Sequence, residues 1–392
     1  MSPEQLAGDT RGAGKPTLRT TRGPEFTRLL GIGDYRPARV ITNEEICRHI
    51  DSTDEWIRER SGITQRHQAA PEETIVDMGQ AAAEHALDYA GLSGSDIDAV
   101  ILASVTWPWQ TPAAAPLVAH RVGAGKAAAY DLAAACAGYC YGIATADDLI
   151  RAGRAEHVLV IGVEKLSDYR NLQDRGTAFI FGDGAGAAVV GPADTPGISA
   201  TTWGSDGSGT RLIRQSSSWM TARGVYGPGA NPLDLGVGTA EANDVAVASA
   251  PVELTMTAQV SDHDAPSATS APPAWPYVDM EGPSVFRWAV SRMAPACLEA
   301  LRTAGVSPQD LDVFIPHQAN ARIVDAMVKK MKLPAHVVVA DDIALSANTS
   351  SASVPLATAA LLRDGRAKPG DLALQIGFGA GLAWAAQVVV LP

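Results

Sequence analysis

Residues 91–104 read GLSGSDIDAVILAS, and residues 305–318 read GVSPQDLDVFIPHQ. Each stretch opens with a glycine after a helical-period segment, MGQAAAEHALDYA (78–90) in the first case and VFRWAVSRMAPACLEALRTA (285–304) in the second. The glycine stops the helix, a Ser-x-x-Asp cap opens a short turn, and an apolar run follows as a buried strand. A second echo links FGDGAGAAVVG (181–191) with GFGAGLAWAAQVVVL (377–391), a glycine turn leading into a strand. The chain is therefore an internal duplication of a βαβ-rich unit. Apolar strands such as VLVIGV (158–163) and LALQIGF (372–378) point to parallel-type sheets covered by helices, with a site where the halves meet.

The composition suits a large globular α/β chain, with 392 residues, 46% of them hydrophobic. A net charge of −12 and a pI near 5.1 argue against nucleic acid as a partner. No apolar run is long enough to span a membrane, and residues 1–24 read as a disordered extension rather than a secretory signal. Four cysteines, Cys47, Cys136, Cys140 and Cys297, are too few for a disulfide framework and lack zinc spacing. The expected protein is cytoplasmic, reduced and metal-free. Residues 221–274 have no counterpart in the other half. They carry six acids against one arginine among Ala, Ser, Gly and Pro, and read as a surface loop insertion.

Three segments could carry chemistry. DLAAACAGYC (131–140) sets Cys136 among small residues before the helical pattern AGYCYGIATADDLIRAG (137–153). A helix N-terminus there would favour thiolate, whereas an inert core cysteine is the plainer reading. FIPHQANAR (314–322) places His317 at the exit of a buried strand, followed by Gln, Asn and Arg. Asn348 lies in LSANTSSASVPLATAALL (345–362), where a polar run before proline reads as a helix cap. GDGAG (182–186) precedes a strand instead of a helix and is read as a structural turn, not a nucleotide loop.

Taken together, TNEEICRHIDSTDEWIRERSGITQRH (42–67), DLAAACAG, TAFIFGDGAGAAVVG, FIPHQANAR, NTSSASVPLA and GFGAGLAW resemble the β-ketoacyl-acyl carrier protein synthase III family. They occur in the family's order, and the resemblance spans about Leu29 to Pro392 apart from 221–274. It implies a thiolase fold of two duplicated halves (25–195 and 196–392) in a five-layer αβαβα arrangement, usually homodimeric. It also implies transfer of an acyl starter from acyl-CoA to Cys136 and decarboxylative condensation with malonyl acyl carrier protein. This would initiate fatty-acid or aromatic polyketide synthesis, with coenzyme A thioester as substrate and no cofactor.

The same resemblance assigns His317 and Asn348 to malonyl decarboxylation, and Phe378 and the Ala380 backbone to the cysteine's wall and oxyanion hole. Trp56, Arg60 and Arg175 match the coenzyme A nucleotide site, while Gly282, Phe286, Ala319 and Asn320 match the pantetheine channel. Thr111 stands at a starter-pocket position held by a bulky aromatic in acetyl-restricted members. Pro283 replaces an amide, and Ala347 replaces the glycine before Asn348. Arg322 and Lys329, two turns apart in ARIVDAMVKKMK (321–332), offer a docking face for the acidic carrier protein, with Lys330 and Lys332 nearby.

Other readings remain. A transferase of the same fold could move the starter without condensing it, though the Cys136/His317/Asn348 set favours condensation. A silent partner subunit should lack the cysteine. The order Cys, His, Asn also occurs in papain-like proteases, whose local cysteine signature is absent here.

Overall fold

The computed structural model describes residues 18, 20–219 and 275–392. Most of the expected N-terminal extension and the 221–274 insertion lie outside the described residues. The end of the extension is nonetheless tied down. Thr21 Oγ1 donates to the Ala152 carbonyl and Gly23 N–H to that of Arg151. The flanks of the insertion also meet, as the Trp219 and Trp275 rings pack edge-on at 5.6 Å.

Each repeat is punctuated as its residues require. In the first half, helix Ile75–Ala90 opens on a Thr74/Asp77 capping box and closes at Gly91, whose φ is 66°. A second box, Ser93/Asp96, turns the chain into the wholly buried strand Ala99–Ala103. In the second half, helix Gly282–Ala304 closes at Gly305 with φ 73°, and a Ser307/Asp310 box leads into the buried strand Val313–Pro316. Reciprocal caps satisfy backbone donors that a helix start would leave unpaired, so the repeated Ser-x-x-Asp has a local cause.

Ten strands form two five-stranded sheets. The first comprises β1 (Phe26–Tyr35), β2 (Ala99–Ala103), β3 (Ala128–Leu132), β4 (Val158–Glu164) and β5 (Gly184–Ala193), in the order β1-β5-β4-β2-β3. The second comprises β6 (Thr202–Ser205), β7 (Val313–Pro316), β8 (Val338–Val339), β9 (Leu372–Gly379) and β10 (Ala383–Val390), in the order β6-β10-β9-β7-β8. The two orders correspond strand for strand, which establishes the duplication.

The sheets are mixed, which corrects the expectation of parallel-type sheets. In each, four strands run in one direction and the fifth, β5 or β10, runs against them, antiparallel to both its neighbours. Only residues 380–382 join β9 to β10, and a parallel return would need a crossover of a dozen residues or more.

Helices supply three further layers. α1 (Asp54–Ser61) lies at the edge of the site. α2 (Ile75–Ala90) and α3 (Ala115–Arg121) cover the outer face of the first sheet. α4 (Gly138–Arg151) packs on β4 and β2 on one side and on β9 and β10 on the other. α5 (Gly282–Ala304) and α6 (Ala321–Met331) cover the outer face of the second sheet. α7 (Ser353–Arg363) lies beside α4 in the middle, against β5 and β1 of one sheet and β7 and β9 of the other. The layers run α2/α3, sheet, α4/α7, sheet, α5/α6, the five-layer α/β arrangement expected. The N-terminal ends of α4 and α7 face the same interior, and they bring the candidate residues together.

Candidate active site

A cavity of about 470 Å³ is lined by Cys136, His317, Asn348, Phe378 and Gly379 at its floor. Trp56, Arg60, Gly282, Phe286, Ala319, Asn320 and Arg322 line the rest of its wall. Residues separated by more than 200 positions in sequence thus converge on one space.

Cys136 sits in the short 3-10 turn Ala135–Ala137, immediately before α4. Its thiol is partly open to the cavity. The expectation of a depressed thiol pKa needs correction, because burial pushes it up to about 11. The Ser350 hydroxyl and the backbone N–H groups of Cys136 and Ala380, all close by, act the other way without prevailing. In low-dielectric surroundings desolvation of a thiolate outweighs a helix dipole. Those two N–H groups lie near Sγ. By contrast, Cys140 and Cys297 are fully buried and line no part of this cavity.

β9 is shaped around the nucleophile. A Cβ at Gly379 would lie 2.7 Å from Cys136 Sγ, so only glycine lets the strand approach this closely. The preceding residue, Phe378, points to the opposite face of the strand, and its ring meets that of His317 edge-on at 5.3 Å.

His317 follows β7, and burial drives its pKa down to about 3, so the ring is neutral near pH 7. Its Nδ1 lies 2.6 Å from Ser353 Oγ, which itself accepts from the Gln318 N–H at 3.4 Å. Nδ1 is the sole acceptor within reach of the serine O–H among the described residues, so the hydroxyl donates to Nδ1, which leaves the proton on Nε2. Asn348 Oδ1 accepts from Ser350 N–H at 2.8 Å, which frees its amide NH₂ as a donor. Asn348 thus caps the turn Ser350–Ala352 and also borders the cavity. Because Asn348 makes this bond and His317 bonds Ser353, the asparagine does not orient the histidine as a protease triad requires.

Backbone strain gathers here. Of four described non-glycine residues with positive φ, three flank the site: Ala135 at 46°, Ala347 at 56° and Ser350 at 49°. Ala347, with ψ −157°, occupies a region that glycine favours. Alanine there carries a strain that the family's glycine would avoid.

At the mouth, the Arg175 and Arg60 guanidinium groups lie 4.6 and 5.6 Å from the Trp56 ring centroid. Asn320 lines the wall, yet its side chain also caps α6 through Arg322 N–H and donates to the Arg60 carbonyl. Pro283 lines the wall without a side-chain donor. A Cβ at Gly282 would meet nothing within 4 Å, so no neighbour in the chain forces glycine there. Arg322 and Lys329 are exposed on α6. Arg322 also stands over the Phe286 ring at 5.6 Å, whereas Lys329 does not reach the cavity. Lys330 is committed to the Val290 and Ser291 carbonyls of α5.

Thr111 is not brought into this site. It is exposed and lies outside the cavity lining, so a starter-pocket role has no support within one chain. Sequence reading also passed over Ser350, Ser353 and Glu164. Ser350 and Ser353 were absorbed into a presumed cap. Glu164 had a signal, an acid ending the otherwise apolar strand VLVIGVE. GDGAG does lead into strand β5, as the rejection of a nucleotide loop requires. Among the described residues no cluster of three or more His, Cys, Asp or Glu could hold a metal, and no helix is long and apolar enough to cross a membrane.

Residues 130–207 match the 3-oxoacyl-[acyl-carrier-protein] synthase III model, and residues 301–391 match the C-terminal model of the same enzymes. The chain is 48% identical over 375 residues to β-ketoacyl-[acyl-carrier-protein] synthase III 1 of Streptomyces coelicolor, an alignment that covers 96% of this chain and 99% of that one. It is 45% identical to the mycobacterial β-ketoacyl-[acyl-carrier-protein] synthase III of Mycobacterium tuberculosis, over 96% and 98% of the two chains. Among solved structures, the priming β-ketosynthase of the R1128 polyketide pathway superposes with a TM-score of 0.82 at 41% identity, covering 96% of this chain and 99% of that one.

Proposed function

The chain belongs to the 3-oxoacyl-[acyl-carrier-protein] synthase III family, and from that premise we propose how its own residues perform the condensing acyl transfer of that family. The observation that carries the proposal is that Cys136, His317 and Asn348 border one cavity while Cys140 and Cys297 do not. An acyl starter passes from acyl-CoA to Cys136 Sγ, and the N–H groups of Cys136 and Ala380 stabilise the tetrahedral oxyanion. Malonyl acyl carrier protein then loses carbon dioxide. The enolate oxygen receives hydrogen bonds from His317 Nε2 and the Asn348 amide, both neutral donors. The carbanion attacks the acyl-Cys136 carbonyl, and Cys136 leaves.

Neither step calls for a metal or redox cofactor, and the coenzyme A thioester is substrate. Trp56, with Arg60 and Arg175 near its ring, offers stacking and charge to the nucleotide of coenzyme A. Gly282, Phe286, Ala319 and Asn320 line the path that pantetheine would follow. Arg322 and Lys329 are assigned to the acidic carrier protein, beside the cavity mouth. The working assembly is taken to be a homodimer, in which an exposed Thr111 could face a pocket other than its own chain's. Intact-protein mass spectrometry after incubation with a panel of acyl-CoAs should show one acyl adduct on Cys136. Addition of malonyl acyl carrier protein should discharge it as a β-ketoacyl product. Discharge as the unextended acyl group would overturn condensation and leave only transfer.

A further inference from the structure

Ala347, at φ 56° and ψ −157°, is strained between two anchors of different kinds. On one side Asn348 is fixed through its backbone. Its N–H donates to the Ile180 carbonyl at 2.9 Å, and its own carbonyl accepts from Gly182 N–H at 3.0 Å. On the other side the buried Ser346 is fixed through its side chain, because Arg36 Nε donates to Ser346 Oγ at 3.0 Å across 310 positions of sequence. Earlier residues of the same short helix, Ile343–Ser346, are tied by other groups. Ile343 N–H donates to Gln318 Oε1 at 3.0 Å, and the Ala344 carbonyl accepts from Thr64 N–H and Oγ1 at 2.9 and 2.6 Å. Neither tie reaches past Ala344. The bond from Ala347 N–H to the Ile343 carbonyl precedes both rotatable backbone bonds of Ala347 and so does not fix them.

Arg36 follows β1 directly, and its largely buried side chain is fully engaged. Nη1 pairs with Asp34, Nε with Ser346 Oγ, and Nη2 with Asp342 Oδ1 at 2.8 Å and the Leu356 carbonyl of α7 at 3.4 Å. Asp34 is itself braced from α7 by Arg363 Nη1 at 2.8 Å. A planar guanidinium holds several acceptors in fixed relative positions, which a lysine ammonium does not. One side chain of the first half thus joins the 342–346 turn to α7, the two elements that flank Asn348 in sequence. The turn also touches the segment that pairs with Asn348, since a Cβ at Gly182 would lie 2.3 Å from the Ser346 carbonyl oxygen.

We propose that Arg36 is a positioning residue for condensation: by gripping Ser346 it keeps Ala347 in its strained conformation and so aims the Asn348 amide at the enolate oxygen. This rests on Asn348 being a donor in malonyl decarboxylation. A residue in that backbone region persists only where its surroundings over-determine it. Release of Ser346 lets Ala347 relax, and the relaxation rotates the peptide that joins it to Asn348, on which the aim of the amide depends. Cys136 is carried by the turn before α4 and does not lie on this path, so acylation is spared. Glycine at 347 needs no grip, because it enters the same region without strain.

The test times the two half-reactions by rapid quench, with malonyl acyl carrier protein and whichever acyl-CoA of a panel loads Cys136 fastest. Arg36→Met and Ser346→Ala should each acylate Cys136 at the wild-type rate but condense about tenfold more slowly, part of what displacing a reacting group by an ångström costs. Adding Ala347→Gly to either should restore most of the loss. In an Asn348→Ala background Arg36→Met should slow condensation no further, since both changes act through one side chain. An arginine that only stabilises the fold gives another pattern: loss in both half-reactions, no rescue by glycine, and additivity with Asn348→Ala. Any of those three results, or wild-type condensation in Arg36→Met or Ser346→Ala, overturns the proposal. If Arg36→Met fails to fold, Ser346→Ala with and without Ala347→Gly decides by the same criteria. Asn348→Ala condensing at the wild-type rate would instead overturn the donor reading beneath it, which keeps the two failures distinct.

Discussion

His317 Nδ1 and Ser353 Oγ lie 2.6 Å apart, joining the end of β7 to the first residue of α7. The contact sets which ring nitrogen carries the proton. Without it the neutral ring is free to place its hydrogen on Nδ1, which aims a lone pair at the substrate oxygen. Ser353→Ala should therefore slow condensation about tenfold, less than loss of a whole oxyanion donor costs, with Cys136 acylation unaffected. Rapid-quench measurement of the two half-reactions separates them, and equal rates in mutant and wild type would remove the serine from this role.

Deleting the donors themselves should cost more. His317→Ala and Asn348→Ala should each still form acyl-Cys136 but condense about 10²–10³-fold more slowly. Radiolabelled malonyl acyl carrier protein reports carbon dioxide release directly. A variant that condenses at the wild-type rate would show that its side chain does not act on the enolate.

The cysteines should divide cleanly. Cys136→Ala should abolish the acyl adduct, while Cys140→Ala, altering a buried side chain outside the cavity, should retain it. An adduct in Cys136→Ala that maps to Cys140 by peptide mass would contradict the assignment.

Gly379 offers a steric test. A methyl there meets Cys136 Sγ at 2.7 Å and Cys136 Cβ at 2.8 Å, so strand and nucleophile cannot both stay in place. Gly379→Ala should lower the acylation rate by at least about 10²-fold, the scale expected for displacing a reacting atom by an ångström. Circular dichroism should show the fold retained. A wild-type acylation rate would mean that β9 yields without cost.

Stability should depend on the pH-linked burial of His317. Its pKa is about 3 in the folded protein and near 6.5 when exposed. Between these values the unfolded chain binds more protons, so stability rises with pH across that window and is lost as acid is added. The contribution approaches about 1.4 kcal/mol per pH unit. His317→Asn should flatten the wild-type slope of unfolding free energy between pH 3.5 and 6.5, measured by urea titration. Equal slopes would show that the ring protonates without unfolding.

The duplication was legible because it is written in local chemistry. Gly91 and Gly305 end helices, and Ser93/Asp96 and Ser307/Asp310 form caps, through contacts a few residues long. The same holds for GDGAG, whose following residues alternate into a strand. Cys136, His317 and Asn348 were legible as a set only through the family's motifs, since each has a sufficient local explanation as core, strand exit or cap. Strand direction was less accessible, because apolar runs alone do not distinguish parallel from antiparallel neighbours.

Tertiary structure decided the rest, for reasons of distance and dielectric. A helix N-terminus read from sequence predicts an acidic thiol, but burial among β9, β10 and the 350–352 turn reverses the sign. The tautomer of His317 depends on Ser353, 36 positions away. Thr111 matches a pocket position in sequence yet lies outside the cavity of its own chain. Local residues determine where elements begin and end; a site's protonation states follow from desolvation and hydrogen bonds that exist only after the two sheets have closed on α4 and α7.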